Sequence, residues 1–481
     1  MTTADHRVDV VVLGAGPAGE NVAGRVRAGG LTVAVVEAER AGGECSYWAC
    51  IPSKTLLVAP ELRAAARRVN GSRQAASGQL DVAAVLERRD EFVHGYDDSS
   101  QADWVASTGA VLLRGRGRLT GEKTVEVVHD DGTTTSVAAE RAVVVAPGST
   151  PVLPPIDGIH DVGAWTNREA TGATTVPESL VLLGGGAVGC ELATAWNRLG
   201  SRVTLVQHSD RLLPAMEPEA GEHVAAALRE EGVDLRLGTS ITAVSREEHQ
   251  GRSRVTATLD DGSTVTAEHV AVAAGRRPGT AALGLDTVGL SDGDALAVDD
   301  ATRVTAVDGG WLYAVGDCTD RAKLTHMGKY QARICADVVL ATVKGDTEGI
   351  GARYTHLDAT AENTAVTQVV FTDPQVASVG LTEAQARAAG GPVETVSVEI
   401  GSVAGAALRA DGYSGVAKLV VDPERRVITG ATFVGPEVGE MLQSATIAVV
   451  GEVTLDRLWH AVPAFPTMSE VWLRLLESYG L

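Results

Sequence analysis

The sequence predicts an α/β protein built from two parallel-sheet units of the same plan, followed by a separate α+β domain. The first observation is a Val-rich run, Val8–Leu13, that leads through the glycine-rich turn Gly14–Gly19 into a helical segment. The second is the repetition of this arrangement further along the chain. The third is a change near Gly351, after which alternating segments such as Val416–Val421 and Val427–Phe433 are typical of antiparallel strands.

The first glycine-rich turn has the pattern of a dinucleotide fingerprint. Val8–Leu13 has the composition of a strand buried on both faces, and the helix after the turn leads to a second apolar strand that ends at Glu37. In this fingerprint the glycines allow a tight turn, approach of the backbone to a pyrophosphate and close helix packing, and the acid binds the ribose. Gly14, Gly16, Gly19 and Glu37 are therefore predicted to bind a dinucleotide in a Rossmann-like domain.

The same unit recurs from the strand Ser179–Leu183 onward. Its turn contains Gly184, Gly186 and Gly189, a helix follows, and the next strand ends at Gln207. The spacing from the first glycine to the residue that ends the second strand is the same in both units. The chain therefore has two Rossmann-like dinucleotide-binding domains, and two such sites predict electron transfer between two bound cofactors.

The second fingerprint differs from the first at its last position. Gln207 stands where an acid would bind the ribose of NAD, and it carries no charge that would repel a 2′-phosphate. His208 and Arg211 follow closely and can attract one. The pattern favours NADPH and leaves NADH as the alternative.

Apolar strands that end in glycine, at Gly148 and Gly275, are typical of strands that close a nucleotide-binding layer. We predict that the chain crosses between domains at these points. The predicted domains are residues 1–150 with 276–350, residues 151–275, and residues 351–481. The third has no nucleotide signal of its own, and we expect it to form a subunit interface.

Cys45 and Cys50 lie between a glycine-rich turn and Pro52-Ser53-Lys54, in a chain with five cysteines. In an ideal helix, Cα atoms five positions apart are separated by about 7.5 Å along the axis, whereas a disulfide needs roughly 4.4–6.8 Å. A bridge therefore requires a distorted turn, and strained bridges are the easily reduced ones. The pattern predicts a redox-active pair, and the alternative is a pair of buried structural thiols.

The composition excludes several kinds of partner. The net charge is −21 and the pI is near 5.0, which argues against nucleic acid and anionic membranes as binding partners. The apolar runs are shorter than the ~20 residues of a membrane span, and Met1–Arg7 lacks the basic start of a signal peptide. We expect a cytoplasmic protein without a metal site.

Three signatures carry a family resemblance: the Cys45–Lys54 stretch, the Tyr313–Asp317 strand and the Phe371–Gly380 segment. Together they resemble the class I flavoprotein pyridine nucleotide–disulfide oxidoreductases, which include dihydrolipoamide, glutathione, mycothione and mercuric reductases. The resemblance covers essentially the whole chain. It implies FAD in the first fingerprint, NADPH or NADH in the second, and a homodimer built by the third domain.

The resemblance also implies a path for electrons. Hydride passes from the nicotinamide to the flavin, which then reduces a bridge between Cys45 and Cys50. Cys50 is implied to be the charge-transfer thiolate and Cys45 the interchange thiol that attacks a substrate. Lys54 is implied to lie near the flavin and to pair with Glu191, because a cation there stabilises a reduced flavin anion.

Two further positions concern the flavin. Asp317 follows an apolar strand and a glycine, where a carboxylate can hydrogen-bond a ribityl hydroxyl or cap the next turn. A helix is predicted to begin near Thr325, and a helix N-terminus there would favour negative charge on a flavin carbonyl.

The sequence departs from the family near its C-terminus. Phe465 stands where the disulfide reductases carry a catalytic His, although the acid five positions later, Glu470, is present. A phenyl ring cannot move protons, and general acid–base catalysis contributes roughly 10²–10⁴-fold. Glu470 is then expected to form a capping box with Thr467. His460 is the alternative base.

Two other departures concern the substrate. Tyr47 and Trp48 are bulkier than is usual between the two cysteines of this family, so they narrow access or stack on a flat acceptor. The segment Glu477–Leu481 lacks the cysteine pair of mercuric reductases, so mercuric ion is not the expected substrate.

We therefore predict an NAD(P)H- and FAD-dependent oxidoreductase that cycles through Cys45 and Cys50. Its acceptor is a small-molecule disulfide, handled without the usual His, or a quinone. One alternative is a dihydrolipoyl dehydrogenase-type disulfide reductase with His460 as base. An alternative of another class is a flavin-bearing redox sensor, which would be reduced once and then stop.

Overall fold

A computed structural model describes residues 4–249 and 252–481. Up to residue 151 its elements are β1 (His6–Leu13), α1 (Pro17–Ala28), β2 (Val33–Glu37), α2 (Gly43–Tyr47), α3 (Cys50–Arg67), α4 (Val82–Phe92), a 3₁₀ turn (His94–Tyr96), α5 (Ser99–Ser107), β3 (Val111–Arg114), β4 (Arg116–Gly121), β5 (Thr124–Val128), β6 (Thr134–Val145) and β7 (Ser149–Pro151).

The middle of the chain contains α6 (Asn167–Gly172), β8 (Ser179–Leu183), α7 (Ala187–Leu199), β9 (Arg202–Gln207), α8 (Pro218–Glu230), β10 (Asp234–Leu237), β11 (Ile241–His249), β12 (Arg252–Leu259), β13 (Thr264–Ala267), β14 (His269–Val272) and β15 (Arg276–Pro278). The remainder contains β16 (Leu312–Ala314), α9 (Thr325–Lys344), α10 (Thr360–Thr364), β17 (Thr367–Val370), β18 (Gln375–Gly380), α11 (Glu383–Ala388), β19 (Glu394–Glu399), α12 (Ala404–Arg409), β20 (Val416–Asp422), β21 (Val427–Gly435), α13 (Leu442–Val450), α14 (Leu455–Leu458) and α15 (Val471–Tyr479). Further 3₁₀ turns lie at Leu285–Val288, Gly316–Cys318, Ile400–Ser402, Val438–Met441 and Met468–Glu470. The predicted α/β class is confirmed.

The chain divides into two compact units. The first consists of Met1–Ile51, Val93–Thr150 and Arg276–Asn363. The second consists of Pro52–Phe92, Pro151–Gly275 and Thr364–Leu481.

The first unit is built on one mixed sheet. Its parallel part runs β3-β2-β1-β6, with β16 beside the C-terminal half of β6, while β5 and β4 continue the sheet in antiparallel pairing. Val10 and Val12 pack into a core with α1 and α9, and Val11 and Leu13 pack into a second core with β4 and β5. From Val10 to Leu13 the central strand β1 is apolar and buried, as expected of a strand that is covered on both faces.

The second unit contains a parallel sheet of order β10-β9-β8-β14 and an antiparallel hairpin sheet β11-β12-β13. A five-stranded antiparallel sheet follows in the order β17-β18-β21-β20-β19. One continuous core joins these layers: the fully buried Trp196 of α7 lies in the same apolar cluster as Leu182 of β8 and Val434 of β21. In the described ranges, no helix combines the length and the apolar character that crossing a bilayer requires.

Candidate active site

The glycine-rich turn of the first unit forms a cradle at the N-terminus of α1. Gly14 has φ of +107°, and a Cβ on Gly19 would lie 1.9 Å from the carbonyl oxygen of Gly14. A larger residue at either position would therefore push α1 away from β1. A Cβ on Gly16 would meet nothing within 4 Å, so the backbone there is open to a ligand. Glu37 Oε2 accepts a hydrogen bond from the backbone N–H of Ala15 at 2.7 Å.

The cradle of the second unit repeats this geometry at the N-terminus of α7. A Cβ on Gly189 would lie 1.8 Å from the carbonyl oxygen of Gly184, and one on Gly186 would meet nothing within 4 Å. Gln207 is buried, and its Oε1 accepts from the backbone N–H of Gly185 at 2.8 Å. Its amide nitrogen donates to Ser209 Oγ at 2.7 Å.

The two residues expected to attract a 2′-phosphate lie just after β9. His208 is exposed. Arg211 is half-buried and donates from Nη2 to the carbonyl oxygen of Pro214 at 2.7 Å. The strand end thus presents a neutral amide, followed by an imidazole and a guanidinium.

Asp317 belongs to a polar network in the first unit. Ser149 Oγ donates to Asp317 Oδ2 at 2.6 Å, and Arg276 Nε donates to Ser149 Oγ at 2.7 Å. Arg276 also forms an ion pair with Glu44 of α2, with 3.4 Å between nitrogen and oxygen. Arg276 thereby links Asp317 to the helix that carries Cys45.

Gly148 and Gly275 directly precede two members of this network, Ser149 and Arg276. Both have positive φ, of 73° and 134°, and a Cβ on either would meet nothing within 4 Å. At these positions the chain turns directly into Ser149 and Arg276.

The two predicted redox cysteines lie on two successive helices. Cys45 belongs to α2, which ends at Tyr47, and Cys50 is the first residue of α3. Trp48 interrupts the helical path with φ of −133° and ψ of 0°. This break supplies the distorted turn that an ideal helix lacks. Both cysteines are thiols and both are half-buried.

Electrostatics keep the Cys45 thiol protonated. The hydrogen bond with the Cys50 thiol and the burial of the sulfur raise the Cys45 pKa, and Thr325 and the Lys329 ammonium lower it by less. Cys50 Sγ lies 3.3 Å from Thr325 Oγ1, at the start of α9. Thr325, predicted as a flavin contact, thus also touches the redox pair.

The carboxyl group of Glu20, in α1, is a further ionisable group of the first unit. Burial raises the pKa of Glu20 to about 7, with Lys329 opposing the shift and Glu37 adding to it. Among the described residues, Glu20 Oε1 has no hydrogen-bond partner although it is buried. A buried group that titrates near neutral pH is a candidate for proton transfer.

Lys54 and Glu191 pair within the second unit. Lys54 Nζ donates to Glu191 Oε2 at 2.7 Å, and Glu191 Oε1 accepts from the backbone N–H of Phe371 at 3.0 Å. The Lys54 nitrogen also lies 4.9 Å from the centre of the Phe371 ring. Glu191 is buried, and each of its two oxygens accepts one of these hydrogen bonds.

The C-terminal segment exposes its apolar side chains in the described chain. Phe465 is 75% exposed and Val462 is 84% exposed. His460, five positions before Phe465, is exposed as well.

The capping box predicted for Thr467 and Glu470 is wrong. Thr467 Oγ1 donates to the carbonyl oxygen of Ala464 at 2.6 Å, and Glu470 Oε1 pairs with Arg474 at 2.7 Å. The Thr467 side chain caps no backbone N–H of the 3₁₀ turn that follows it, because its hydroxyl and the Glu470 carboxylate both have other partners. Glu470 is held by the helix that follows it.

Residues 8–332 match the family model described as pyridine nucleotide-disulphide oxidoreductase, and residues 366–475 match the dimerisation domain of the same family. The chain belongs to the pyridine nucleotide–disulfide oxidoreductase family. It is therefore an oxidoreductase that depends on FAD and uses NAD(P)H as electron donor, as predicted. The dimerisation domain supports a homodimer.

Two similar proteins have names that denote different activities. The chain is 33% identical over 478 residues to a mercuric reductase of Streptomyces lividans, covering 98% of this chain and 96% of the relative. It is 33% identical over 471 residues to dihydrolipoyl dehydrogenase 3 of Pseudomonas aeruginosa, covering 96% of each. Because the two relatives act on different acceptors, their similarity leaves the acceptor of this enzyme open.

Solved structures share the fold. LpdA from Mycobacterium tuberculosis superposes with a TM-score of 0.81 at 24% identity, covering 99% of this chain and 100% of that one. The flavoprotein disulfide reductase RclA from Escherichia coli, in its Cu(II) complex, has a TM-score of 0.83 at 23% identity and covers 98% and 99%. Within the described residues, no cluster of three or more His, Cys, Asp or Glu side chains is arranged to hold a metal ion.

The residues of the first unit fit FAD. Gly16 leaves an open cradle at a helix N-terminus, Glu37 stands at the end of β2, and Asp317 is held in place by Ser149. The second cradle has the same open backbone at Gly186, with Gln207 in the position that Glu37 has in the first.

Sequence reasoning did not single out Glu20, Lys329 or Arg276. Glu20 directly follows the last glycine of the first fingerprint, which is the one local signal that could have drawn attention to it. Lys329 and Arg276 join the site only through the packing of distant segments.

Proposed function

We propose that the enzyme passes electrons from NADPH through FAD to Cys45 and Cys50, and from there to a flat acceptor of the quinone class. When bound, FAD accepts hydride from the nicotinamide and supplies two electrons to the disulfide. The observation that carries the proposal is the break of the helical path at Trp48, which places Cys45 of α2 and Cys50 of α3 on either side of one turn of the first unit.

The protonated state of Cys45 favours a quinone over a disulfide as acceptor. The thiolate, not the thiol, attacks a disulfide, so a raised pKa slows thiol–disulfide exchange. A quinone needs two electrons and two protons to become a hydroquinone. Oxidation of the reduced pair to the disulfide supplies both electrons and the proton of Cys45. Because the expected charge-transfer band requires Cys50 as a thiolate, the second proton of the hydroquinone comes from solvent.

Phe465 supports the same acceptor class. The resemblance places a proton-carrying His at this position, and the phenyl ring there is largely exposed. An aromatic ring offers a flat surface for stacking and has no proton to exchange. We assign Phe465 to acceptor binding, and Glu470, paired with Arg474, to support of the same segment.

Lys54 and Glu191 are proposed to serve the flavin. The carboxylate of Glu191 holds the Lys54 ammonium in one direction, and a fixed cation near a flavin stabilises negative charge that develops on reduction. Asp317 is assigned to the ribityl chain, and Thr325 to the redox pair and the adjoining flavin ring.

NADPH is proposed as the donor because of Gln207. Its amide keeps the contact to the glycine turn but brings no negative charge to the ribose position. His208 and Arg211 are then proposed to bind the 2′-phosphate. A carboxylate at residue 207 would repel that group.

A small disulfide is a second acceptor class, favoured by the similarity to dihydrolipoyl dehydrogenase 3 of Pseudomonas aeruginosa. In that reaction Cys45 releases its thiol proton, and its sulfur attacks the substrate disulfide. One substrate sulfur joins Cys45, and the other leaves as a thiolate that takes the proton. Cys50 then attacks Cys45 and releases the second thiol.

The domains are proposed to be 1–150 with 276–350 for FAD, 151–275 for NADPH and 351–481 for dimerisation. The apolar Val462 and Phe465 are then available to a partner subunit. We place the enzyme in the cytoplasm, where thiols are kept reduced.

An anaerobic titration with NADPH and with NADH tests the core of the proposal. We expect a thiolate–flavin charge-transfer band on reduction, and we expect Cys50→Ser to remove it while Cys45→Ser keeps it. An unchanged band in Cys50→Ser would remove the cysteines from the mechanism.

A turnover screen then separates the acceptors. We expect quinones to sustain NADPH oxidation better than lipoamide or small-thiol disulfides. A preference for lipoamide that is lost in His460→Ala would establish the dihydrolipoyl dehydrogenase-type reaction. One reduction without turnover on any acceptor would establish a redox sensor.

A further inference from the structure

Four side chains of the first unit contact one another at the turn between the two cysteines, and two of them belong to the turn itself. We call Arg40, Tyr47, Trp48 and Tyr96 the Arg40 clamp. The guanidinium carbon of Arg40 lies 5.3 Å from the ring centre of Trp48 and 5.9 Å from those of Tyr47 and Tyr96. Such distances are within the range of cation–π attraction. One guanidinium therefore contacts three aromatic rings.

The rings also contact one another. Trp48 stacks on Tyr96 with 6.5 Å between centres and 27° between planes, and it meets Tyr47 edge-on at 5.8 Å. Tyr47 is 1% exposed, so it anchors the cluster in the interior. Trp48 is the residue at which the helical path between Cys45 and Cys50 breaks.

Hydrogen bonds tie Arg40 to the surrounding backbone. Its Nε donates to the carbonyl oxygen of Tyr96 at 2.7 Å. Its own carbonyl oxygen accepts from the N–H of Gly43, the first residue of α2, at 3.0 Å. The clamp thus connects the loop after β2, the turn between the cysteines and the 3₁₀ turn at residues 94–96.

We propose that Arg40 is a positioning residue that holds Cys45 and Cys50 side by side in the dithiol state and so favours closure of the disulfide. This inference rests on the proposed redox cycle. Cys45 and Cys50 lie on the two helices that meet at Trp48, and Cys50 Sγ is 3.3 Å from Thr325 Oγ1, so the position of Trp48 sets how the two cysteines face each other. Arg40 acts on the sulfur atoms only through Trp48 and the start of α2.

The physical reason is the effective concentration of one thiol at the other. Closure removes one proton and one electron from each sulfur and joins the sulfurs, and the oxidant takes up both electrons and both protons. When the turn is held closed, the dithiol loses little conformational freedom as the disulfide forms. When the turn is loose, the dithiol has more conformational freedom, and disulfide formation removes it. Loosening the turn therefore shifts the equilibrium toward the dithiol.

The test is a redox equilibrium of the intact enzyme in buffers of oxidised and reduced dithiothreitol. The fraction of dithiol is read by alkylation and mass spectrometry, without any turnover. For Arg40→Met we expect the half-oxidation ratio to shift about threefold to tenfold toward the dithiol, where tenfold corresponds to about 30 mV for a two-electron couple. Arg40→Lys, which keeps the charge but not the planar contact, is expected to shift it less.

Arg88→Met is the matched control. The Arg88 guanidinium carbon lies 4.5 Å from the Phe92 ring centre in α4, so the variant removes the same kind of contact away from the clamp. We expect its ratio to match that of the wild type. Trp48→Leu removes the clamp's central ring and is expected to shift the ratio in the same direction as Arg40→Met, which keeps the test decisive if that variant folds poorly.

The outcomes are distinguishable. If the wild type forms no Cys45–Cys50 disulfide, the proposed redox cycle fails. If it does, and Arg40→Met and Trp48→Leu leave the ratio unchanged, the cycle stands and the positioning role of Arg40 is refuted. A lower melting temperature with an unchanged ratio would show that the clamp is structural only.

Discussion

Gln207 Oε1 accepts a hydrogen bond from the backbone N–H of Gly185 at 2.8 Å. In the other cradle, Glu37 Oε2 accepts from the backbone N–H of Ala15 at 2.7 Å. The two contacts hold equivalent parts of the two fingerprints, one with a neutral amide and the other with a carboxyl group. The geometry of the turn is therefore kept while the charge at the ribose position changes.

The first prediction concerns the choice of nicotinamide. Gln207→Glu keeps an acceptor for the Gly185 N–H and adds a negative charge, so it should lower kcat/KM for NADPH by about tenfold or more, which corresponds to about 1.4 kcal/mol. NADH should be affected less. The measurement is kcat/KM for both nucleotides with one quinone.

Gln207→Met is the control for this variant, because it removes the hydrogen bond without adding charge. It should weaken both nucleotides alike. Equal losses for NADPH and NADH in Gln207→Glu would contradict the assignment of this position to the 2′-phosphate.

The second prediction concerns the missing base. Phe465→His should raise disulfide reductase activity by roughly 10²-fold, the lower end of the contribution of general acid–base catalysis. Quinone reduction should fall, because a stacking surface is lost. Steady-state rates with lipoamide and with a quinone measure both effects.

Phe465→Leu serves as the control, since it removes the ring without adding a proton carrier. It should lower quinone reduction and leave disulfide reduction as it was. No gain at all in Phe465→His would mean that the site is not built for a disulfide.

The third prediction concerns the buried carboxylate beside Lys54. Glu191→Gln keeps an acceptor for the N–H of Phe371 but removes the charge that orients the Lys54 ammonium. We expect flavin reduction by NADPH to slow by about tenfold in stopped-flow experiments, in line with the loss of one electrostatic contact of about 1.4 kcal/mol.

Glu231→Gln is the matched control in the same unit, because Glu231 pairs with the mostly buried Arg198. It should alter stability and leave the rate of flavin reduction unchanged. Equal rates in the wild type and Glu191→Gln would remove this pair from the reductive step.

The fourth prediction concerns pH and the buried carboxyl of Glu20. Burial raises its pKa from 4.5 to about 7 in the folded protein, so between these values the folded state holds a proton that the unfolded state has lost. This contribution to stability is complete below about pH 4.5 and is lost as the pH rises through 7, by about 3 kcal/mol in all.

Glu20→Gln is neutral at every pH and should lack this loss. The melting temperature of the wild type should therefore fall relative to that of Glu20→Gln as the pH rises from 5 to 8. Glu348→Gln, at an exposed position of the same unit, should follow the wild type. Parallel curves for the wild type and Glu20→Gln would show that Glu20 ionises like an exposed acid.

The sequence by itself determined the α/β class, the family and the two cofactors. Each of these rests on local and periodic signals. One short segment contains an apolar strand, glycines at fixed spacing and the end of a second strand, and this segment occurs twice in the chain. Such signals act over a few residues, and backbone geometry ties each residue type to its position. The cysteine pair is local in the same way.

Only the tertiary structure decided which groups surround that pair. Arg40 reaches the carbonyl oxygen of Tyr96 across 56 positions, and Cys50 meets Thr325 across 275. Thr467 and Glu470 have the spacing of a capping box, yet the entry to α15 gives both of them other partners. Burial and long-range contact depend on how whole elements pack, and no short segment of the chain encodes that packing on its own.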